Sequence, residues 1–375
     1  MPRVCITKVE DQDVYKAVKA CFDKIVTKDL LTGVKKALIK PNFVVGLPAC
    51  SGATTDLRIV ESLAKILREN GIEVIVGESS LENTSNVLEV LSVLELEKLG
   101  VKVVNFDEEK WIEVQSSTNF APTRFHLPEA VLNCDLIVSV AKMKTHDLTG
   151  VTLSVKNVLG MIQKIDRKTA HRVDIDKAIV SVFAYLVRNK KFISFVDGIY
   201  AMEGKGSPTH GMPVKMDLIV AGDDAVATDA TCIEIMGLEV KNIRHLSLSR
   251  KIGLGEIKGR EIIGEKIESV RRRFEMPPAI RSSRPFLVSY VTKKFFNRTS
   301  SLKYKEKCIK CRLCIENCPI GNITMERDEI KIHKKKCIGC MVCLESCKEG
   351  ALDYEINHAK IHKIARAIYH KFKKR

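Results

Sequence analysis

No apolar run in this 375-residue chain approaches the roughly 18 residues of a membrane-crossing helix. There is no signal-peptide pattern either. Met1-Pro2-Arg3-Val4-Cys5 opens straight into a strand-like segment, which carries the expectation of a cytoplasmic protein. The phosphate-cradling G-x-x-x-x-G-K-[S/T] run is missing, as is the dinucleotide spacing G-x-G-x-x-G. ATP, nicotinamide and flavin bound by those devices are therefore not expected. Aromatic residues make up only 6% of the chain and do not interleave with the basic C-terminal domain, so its charge is not read as a nucleic-acid surface.

What is present is a chain that is 45% hydrophobic and 29% charged, suited to two or three globular domains. The net charge of +16 is unevenly placed. Residues 1–270 balance 36 Lys+Arg against 36 Asp+Glu, whereas residues 271–375 carry 26 against 10. Such a C-terminal part steers acidic partners toward itself, and an acidic redox carrier such as a ferredoxin or flavodoxin is the expected one.

Eight of the 13 cysteines form two runs. The first is Cys308, Cys311, Cys314 and Cys318, followed by Pro319; the second is Cys337, Cys340, Cys343 and Cys347, followed by Lys348. Both read C-x2-C-x2-C-x3-C, the bacterial-type iron–sulfur ligand run, in which the fourth cysteine serves the other cluster. This predicts two 4Fe-4S clusters. One is held by Cys308, Cys311, Cys314 and Cys347, the other by Cys337, Cys340, Cys343 and Cys318. The alternative is a pair of structural zinc sites, since C-x2-C pairs also bind zinc. Residues 304–354 resemble the two-cluster bacterial ferredoxins, with Lys348 standing where proline would follow the fourth cysteine. Thiolates kept reduced for iron place the protein in a reducing compartment, and the clusters suggest an anaerobic setting.

The first three-quarters alternates short β-branched runs with helical patterns. Strands are expected at 3–9, Lys36–Lys40, 72–76, 136–140, 192–196 and 216–220. Helices are expected at Val14–Ile25, Leu57–Glu69, 175–187 and Ala225–Ile235, with Asp56 and Asp223 or Asp224 as caps. The fold class is α/β, a mainly parallel sheet with helices on both faces, followed by a small α+β ferredoxin-like domain. The domain boundaries read 1–270, a basic linker 271–303, the ferredoxin domain 304–356 and a basic tail 357–375.

Ligands of such sheets bind beyond the carboxyl ends of the strands, and there this chain places its polar strings. They are Lys40-Pro41-Asn42, Lys142-Met143-Lys144-Thr145-His146, Leu148 through Asn157, and Asp197-Gly198. These strings resemble the family catalogued as domain of unknown function 362 over about residues 35–235. The resemblance implies an α/β domain often fused to a two-cluster ferredoxin, and no particular reaction.

Lys142, Lys144 and His146 alternate along one extended edge and suit an anionic substrate, phosphate or carboxylate; the bland reading is a solvated basic edge. Lys40, Asn42, Lys156, Asn157 and Lys205 join them as binding candidates, with Lys156 and Asn157 expected on a helix starting near Thr149. The segment 203–211 reads as a flexible substrate loop. His146, His210, Glu203 and Lys144 are the candidates for moving protons. Cys50 is a possible nucleophile or extra ligand, though lone cysteines are usually inert. Cys5, Cys21, Cys134 and Cys232 read as core.

The tail carries Ile361, Ile364, Ala365, Ile368 and Phe372 on one helical stripe among lysines and arginines. It suits peripheral membrane contact or docking on its own domain. Together these features predict an iron–sulfur oxidoreductase passing electrons to a small anionic substrate or bound cofactor. The alternatives are a non-catalytic electron-transfer or assembly module, and a non-redox enzyme with structural clusters.

Overall fold

A computed structural model describes residues 1–206, 210–277 and 298–356. The chain divides into two units, Met1–Ile280 and Arg281–Arg375. The apolar stretch 286–296 and the tail 357–375 lie outside the described residues.

In the first unit, side chains that alternate along each strand go to opposite cores, as the two-residue period of extended chain requires. The strands are β1 (Arg3–Lys8), β2 (Lys36–Lys40), β3 (Glu73–Glu78), β4 (Lys102–Asn105), β5 (Trp111–Gln115) and β6 (Arg124–Pro128). They continue with β7 (Leu136–His146), β8 (Gly150–Thr152), β9 (Lys191–Gly204), β10 (Gly211–Gly222) and β11 (Glu261–Gly264). Leu38, Ile75, Ile137, Val196 and Val220 enter one core, which helices Ile175–Asn189 and Ala225–Ile235 cover. Ile39, Val74, Val138, Phe195 and Ile219 enter the other, covered by Val14–Ile25 and Leu57–Glu69. Helices thus sit on both faces.

The sheet order is β11-β1-β10-β9-β7-β2-β3-β4, with β8 pairing β7 and β5–β6 a separate hairpin. Neighbours are parallel from β9 through β7, β2 and β3 to β4, and at β1–β11. The β1–β10, β9–β10 and β7–β8 pairs are antiparallel. The parallel run brings the ends of β2, β3, β7 and β9 to one edge.

Three expectations need correction. Residues 142–146 are extended as expected, but 197–204 are not a loop, because β7 and β9 run on, paired with each other and with β8 and β10. The helix expected from Thr149 is instead β8 followed by one turn, Ser154–Asn157. Its start is set by the Asp229 carboxylate, which accepts from Ser154 N and Val155 N at 2.9 Å each. The linker expected at 271–303 is ordered at both ends. Arg272 N and Phe274 N donate to Ile235 O and Met236 O, Phe274 is buried, and Arg298–Leu302 is a strand. The caps at Asp56 and Asp224 are as expected.

The second unit pairs β12 (Arg298–Leu302) with β15 (Leu352–Ile356), and β13 (Ile323–Glu326) with β14 (Glu329–Ile332). Its first half recurs 29 positions later, as Cys308 against Cys337 and helix Leu313–Glu316 against Val342–Glu345. The core is small: Ile323, Ile330, Met341, Leu344 and Leu352 around Cys343. No helix among the described residues is long and apolar enough to cross a membrane.

Candidate functional site

In the second unit the eight cysteines surround two hollows. Cys308, Cys311, Cys314 and Cys347 line one of about 420 Å3, partly open to solvent. Cys318, Cys337, Cys340 and Cys343 line the other, of about 310 Å3. The backbone builds both alike. Lys310, Arg312, Gly339 and Met341 all take positive φ, between 57° and 69°, and curl the loops so that successive cysteines face inward. The fourth cysteine of each run crosses to the other hollow, where its sulfur also accepts a backbone N–H. Asn322 N donates to Cys318 Sγ at 3.2 Å and Ala351 N to Cys347 Sγ at 3.3 Å. Among the described residues no three His, Cys, Asp or Glu side chains are placed to hold a single metal ion. An all-thiolate quartet around a cavity fits a four-iron cube, in which each cysteine takes its own iron, better than one tetrahedral zinc.

In the first unit the strand-end edge holds two sealed ion pairs. Lys40 ends β2 and meets Glu78 at the end of β3, with Nζ to Oε1 at 2.7 Å and both side chains buried. Glu78 also accepts from Phe43 N and Ser79 N. Burial lowers the Lys40 pKa from its ordinary value, with Glu78 pulling the other way. One strand pair further on, Lys142 and Asp197 are register partners on β7 and β9. Their Nζ–Oδ2 distance is 2.8 Å and both are 0% exposed. Asp197 accepts from Asp56 N and Ile199 N as well, tying the 41–56 loop down. Gly52 in that loop has φ 73°, and a Cβ there would lie 2.4 Å from Ala201 O, so only glycine fits.

Around these pairs stand the remaining candidates. Lys144 Nζ donates to Ala53 O at 2.8 Å, and Lys144 is the register partner of Thr152, whose hydroxyl accepts from Lys156 Nζ at 3.4 Å. His146 Nδ1 accepts from Leu148 N and Thr149 N, leaving Nε2 to carry the ring proton. Asn157 Nδ2 donates to Lys40 O and Ser139 Oγ, and Asn42 Nδ2 to Asn157 Oδ1. Lys205 follows the end of β9 and His210 precedes β10. Gly204 O accepts from Thr145 Oγ1, and Gly206, at φ 70°, passes within 2.7 Å of His146 Cα at its would-be Cβ.

The edge therefore gathers Lys144, His146, Lys156 and the turn bearing Lys205. Lys40, Lys142, Lys144 and His146 are all buried, Lys40 and Lys142 each against a carboxylate. Glu203 also departs from its expected role. Arg272 and Glu275 N hold its carboxylate, so it anchors the 271–277 segment. Cys50 is exposed on the turn Ala49–Ser51, whereas Cys5, Cys21, Cys134 and Cys232 are buried.

Glu78, Asp197 and Asp229 were not among the sequence candidates. The signal for the first two was an acid closing the strand beside each lysine-bearing strand. For Asp229 it was a charge in the middle of Ala225–Ile235, where most neighbours are apolar. Burial pushes the Asp229 carboxyl up to about 8, against its two N–H donors. Its folded value lies above the unfolded one of about 3.9, so this group's stabilisation is complete below that pH and is lost as pH rises toward 8. The loss is on the order of a few kcal/mol. Asp229→Asn should flatten that slope in denaturant titrations followed by Trp111, the single tryptophan. A wild-type curve as flat as the variant's between pH 5 and 8 would remove the effect.

Comparison with known proteins places this geometry. The profile described as domain of unknown function (DUF362) matches residues 37–234, and the 4Fe-4S dicluster domain matches residues 302–348. A thylakoid-associated protein of Synechocystis sp., sll1697, is 26% identical over 225 residues, 58% of this chain and 68% of that protein. The lactate racemase apoprotein from Thermoanaerobacterium thermosaccharolyticum aligns at TM-score 0.38 and 13% identity, covering 62% of this chain and 56% of that one.

Proposed function

Because the chain belongs to the domain of unknown function 362 family and ends in a 4Fe-4S electron-transfer domain, we propose that it is an iron–sulfur oxidoreductase with two 4Fe-4S clusters. The observation that carries this is the crossing of Cys318 and Cys347, which completes two thiolate quartets around two hollows. Each cluster, when bound, exchanges one electron. In the α/β unit, Lys144 and Lys156 supply positive charge for a small anionic substrate, and His146 Nε2 is placed to give a proton. The sealed Lys40–Glu78 and Lys142–Asp197 pairs position the loops that carry these groups. A second reading, an electron-transfer module acting on a partner protein, is favoured by the burial of Lys40 and Lys142, which withholds two cations from any small anion. Peripheral membrane contact through the basic tail remains a proposal alongside a relative named as thylakoid-associated.

Anaerobically purified protein should carry iron and sulfide and give an EPR signal on dithionite reduction. Lys144→Ala and His146→Ala should keep that iron and that signal while losing a co-purifying anion, read by mass spectrometry. Reducible iron with an unchanged bound anion in both variants would move the assignment to the partner-binding module. Zinc in place of iron would overturn the redox reading altogether.

A further inference from the structure

The second unit contains its own control. Its two halves share backbone, ligand spacing and positive-φ residues, so a difference between matched positions is a difference in environment alone. Around the first hollow stand Lys307, Lys310, Arg312 and Lys348, against the single acid Glu349. Around the second the lining is uncharged: Ser300, Pro319, Ile320, Asn322, Ile323, Ile338 and Met341 accompany the cysteines. At the repeat offset, Lys310 matches Gly339, Arg312 matches Met341, Lys348 matches Pro319 and Glu349 matches Ile320. These four departures put charge at the first hollow and none at the second, whereas Lys307 is matched by Lys336.

Exposure follows the same division. Cys311, Arg312, Lys310 and Lys348 are exposed, and the apolar Ile309 beside them is 61% exposed. At the second hollow Met341 and Cys343 are buried, and Ile338, the counterpart of Ile309, is 42% exposed. Lys310 pairs with Asp328, and Lys307 lies 5.1 Å from the Tyr304 ring centroid, so part of the collar is already engaged. The collar remains net positive around an apolar spot.

We infer that the first hollow is the electron port of this unit, and that its collar docks an acidic one-electron carrier protein of the ferredoxin or flavodoxin class. This rests on the reading of the two hollows as cluster sites. A cationic collar steers an acidic carrier toward Ile309 and Cys311, and the same charges favour the electron's arrival at this site over the uncharged one. One electron leaves the carrier, which is oxidised by one, and the cluster held by Cys308, Cys311, Cys314 and Cys347 gains it. No bond or proton changes place. The second hollow, sheltered among apolar side chains, is the inner site.

The test replaces collar residues in the full iron-loaded chain by their repeat counterparts, Lys310→Gly and Arg312→Met, together with Lys348→Ala. A second variant carries glutamine at all three positions, which keeps side-chain length. Iron content is measured first. Stopped-flow reduction by a reduced acidic 2Fe-2S ferredoxin at low ionic strength should slow at least tenfold in both variants, and the difference should vanish in high salt. Reduction by the methyl viologen radical cation, which the collar repels, should not slow. In an EPR-monitored redox titration the higher-potential step should move down toward the lower one. Full iron with unchanged ferredoxin rates and unchanged steps in both variants would overturn the port assignment and leave the cluster reading intact. A wild-type protein without reducible iron would instead remove the reading on which it rests.

Discussion

Cys318→Ala should lower the iron content from about eight to about four per chain, and the iron lost should be that of the second run, Cys337 to Cys343. Cys318 lies in the first run by sequence but lines the second hollow, so the effect crosses the repeat. Cys347→Ala should do the reverse and empty the first hollow. The consequence for folding is large because the unit has little else to hold it. Its core amounts to Ile323, Ile330, Met341, Leu344 and Leu352 packed on cysteines. Domains of this size bury too little apolar surface to be secure alone, and metal-binding free energy becomes folding free energy. Stripping iron with a chelator should therefore melt residues 298–356 while the α/β unit stays folded. Trp111 lies in β5 and is the chain's one tryptophan, so its fluorescence reports on the α/β unit separately. Loss of first-hollow iron from Cys318→Ala would refute the crossing assignment.

Lys142→Met should cost the α/β unit about 3–5 kcal/mol, the usual penalty when one partner of a buried ion pair is removed. Asp197 would then be left at 0% exposure without the ammonium it now meets, its hydrogen bonds from Asp56 N and Ile199 N remaining. The 41–56 loop should loosen with it, because the same carboxylate holds its Asp56 end. Adding Asp197→Leu to Lys142→Met should recover part of the loss, since an apolar pair leaves no orphaned charge. By contrast, Lys19→Ala breaks the exposed, solvent-screened Lys19–Asp23 pair and should change stability far less. Guanidinium unfolding followed by Trp111 measures all three. A Lys142→Met loss no greater than that of Lys19→Ala would show that the pair is solvated in solution.

The elements of the α/β unit were legible where pattern and punctuation agreed. Val14–Ile25, Lys36–Lys40 and Leu57–Glu69 carry apolar patterning with an Asp cap or a neighbouring turn, and Ala225–Ile235 an apolar run behind its Asp224 cap. The ends of β7 and β9 were not legible. Lys142 and Lys144 read as one extended cationic edge, and only the neighbouring strand shows that Lys142 faces Asp197. Likewise the one-turn helix Ser154–Asn157 depends on a carboxylate 75 residues away.

Ligand chemistry was a property of the sequence by itself. The spacing C-x2-C-x2-C places three thiolates within reach of one cluster through local chain geometry, and the fourth comes from the partner run. The charge surplus beyond residue 270 was equally plain in composition. Only the tertiary structure decided which groups the buried lysines lie against. Lys142 and Lys144 are two residues apart and chemically identical. One lies against Asp197 and the other against a backbone carbonyl, because strand neighbours are chosen by the order of the sheet. An ion pair forms between groups distant in sequence, and the free energy of burying a charge depends on the partner that the fold brings to it.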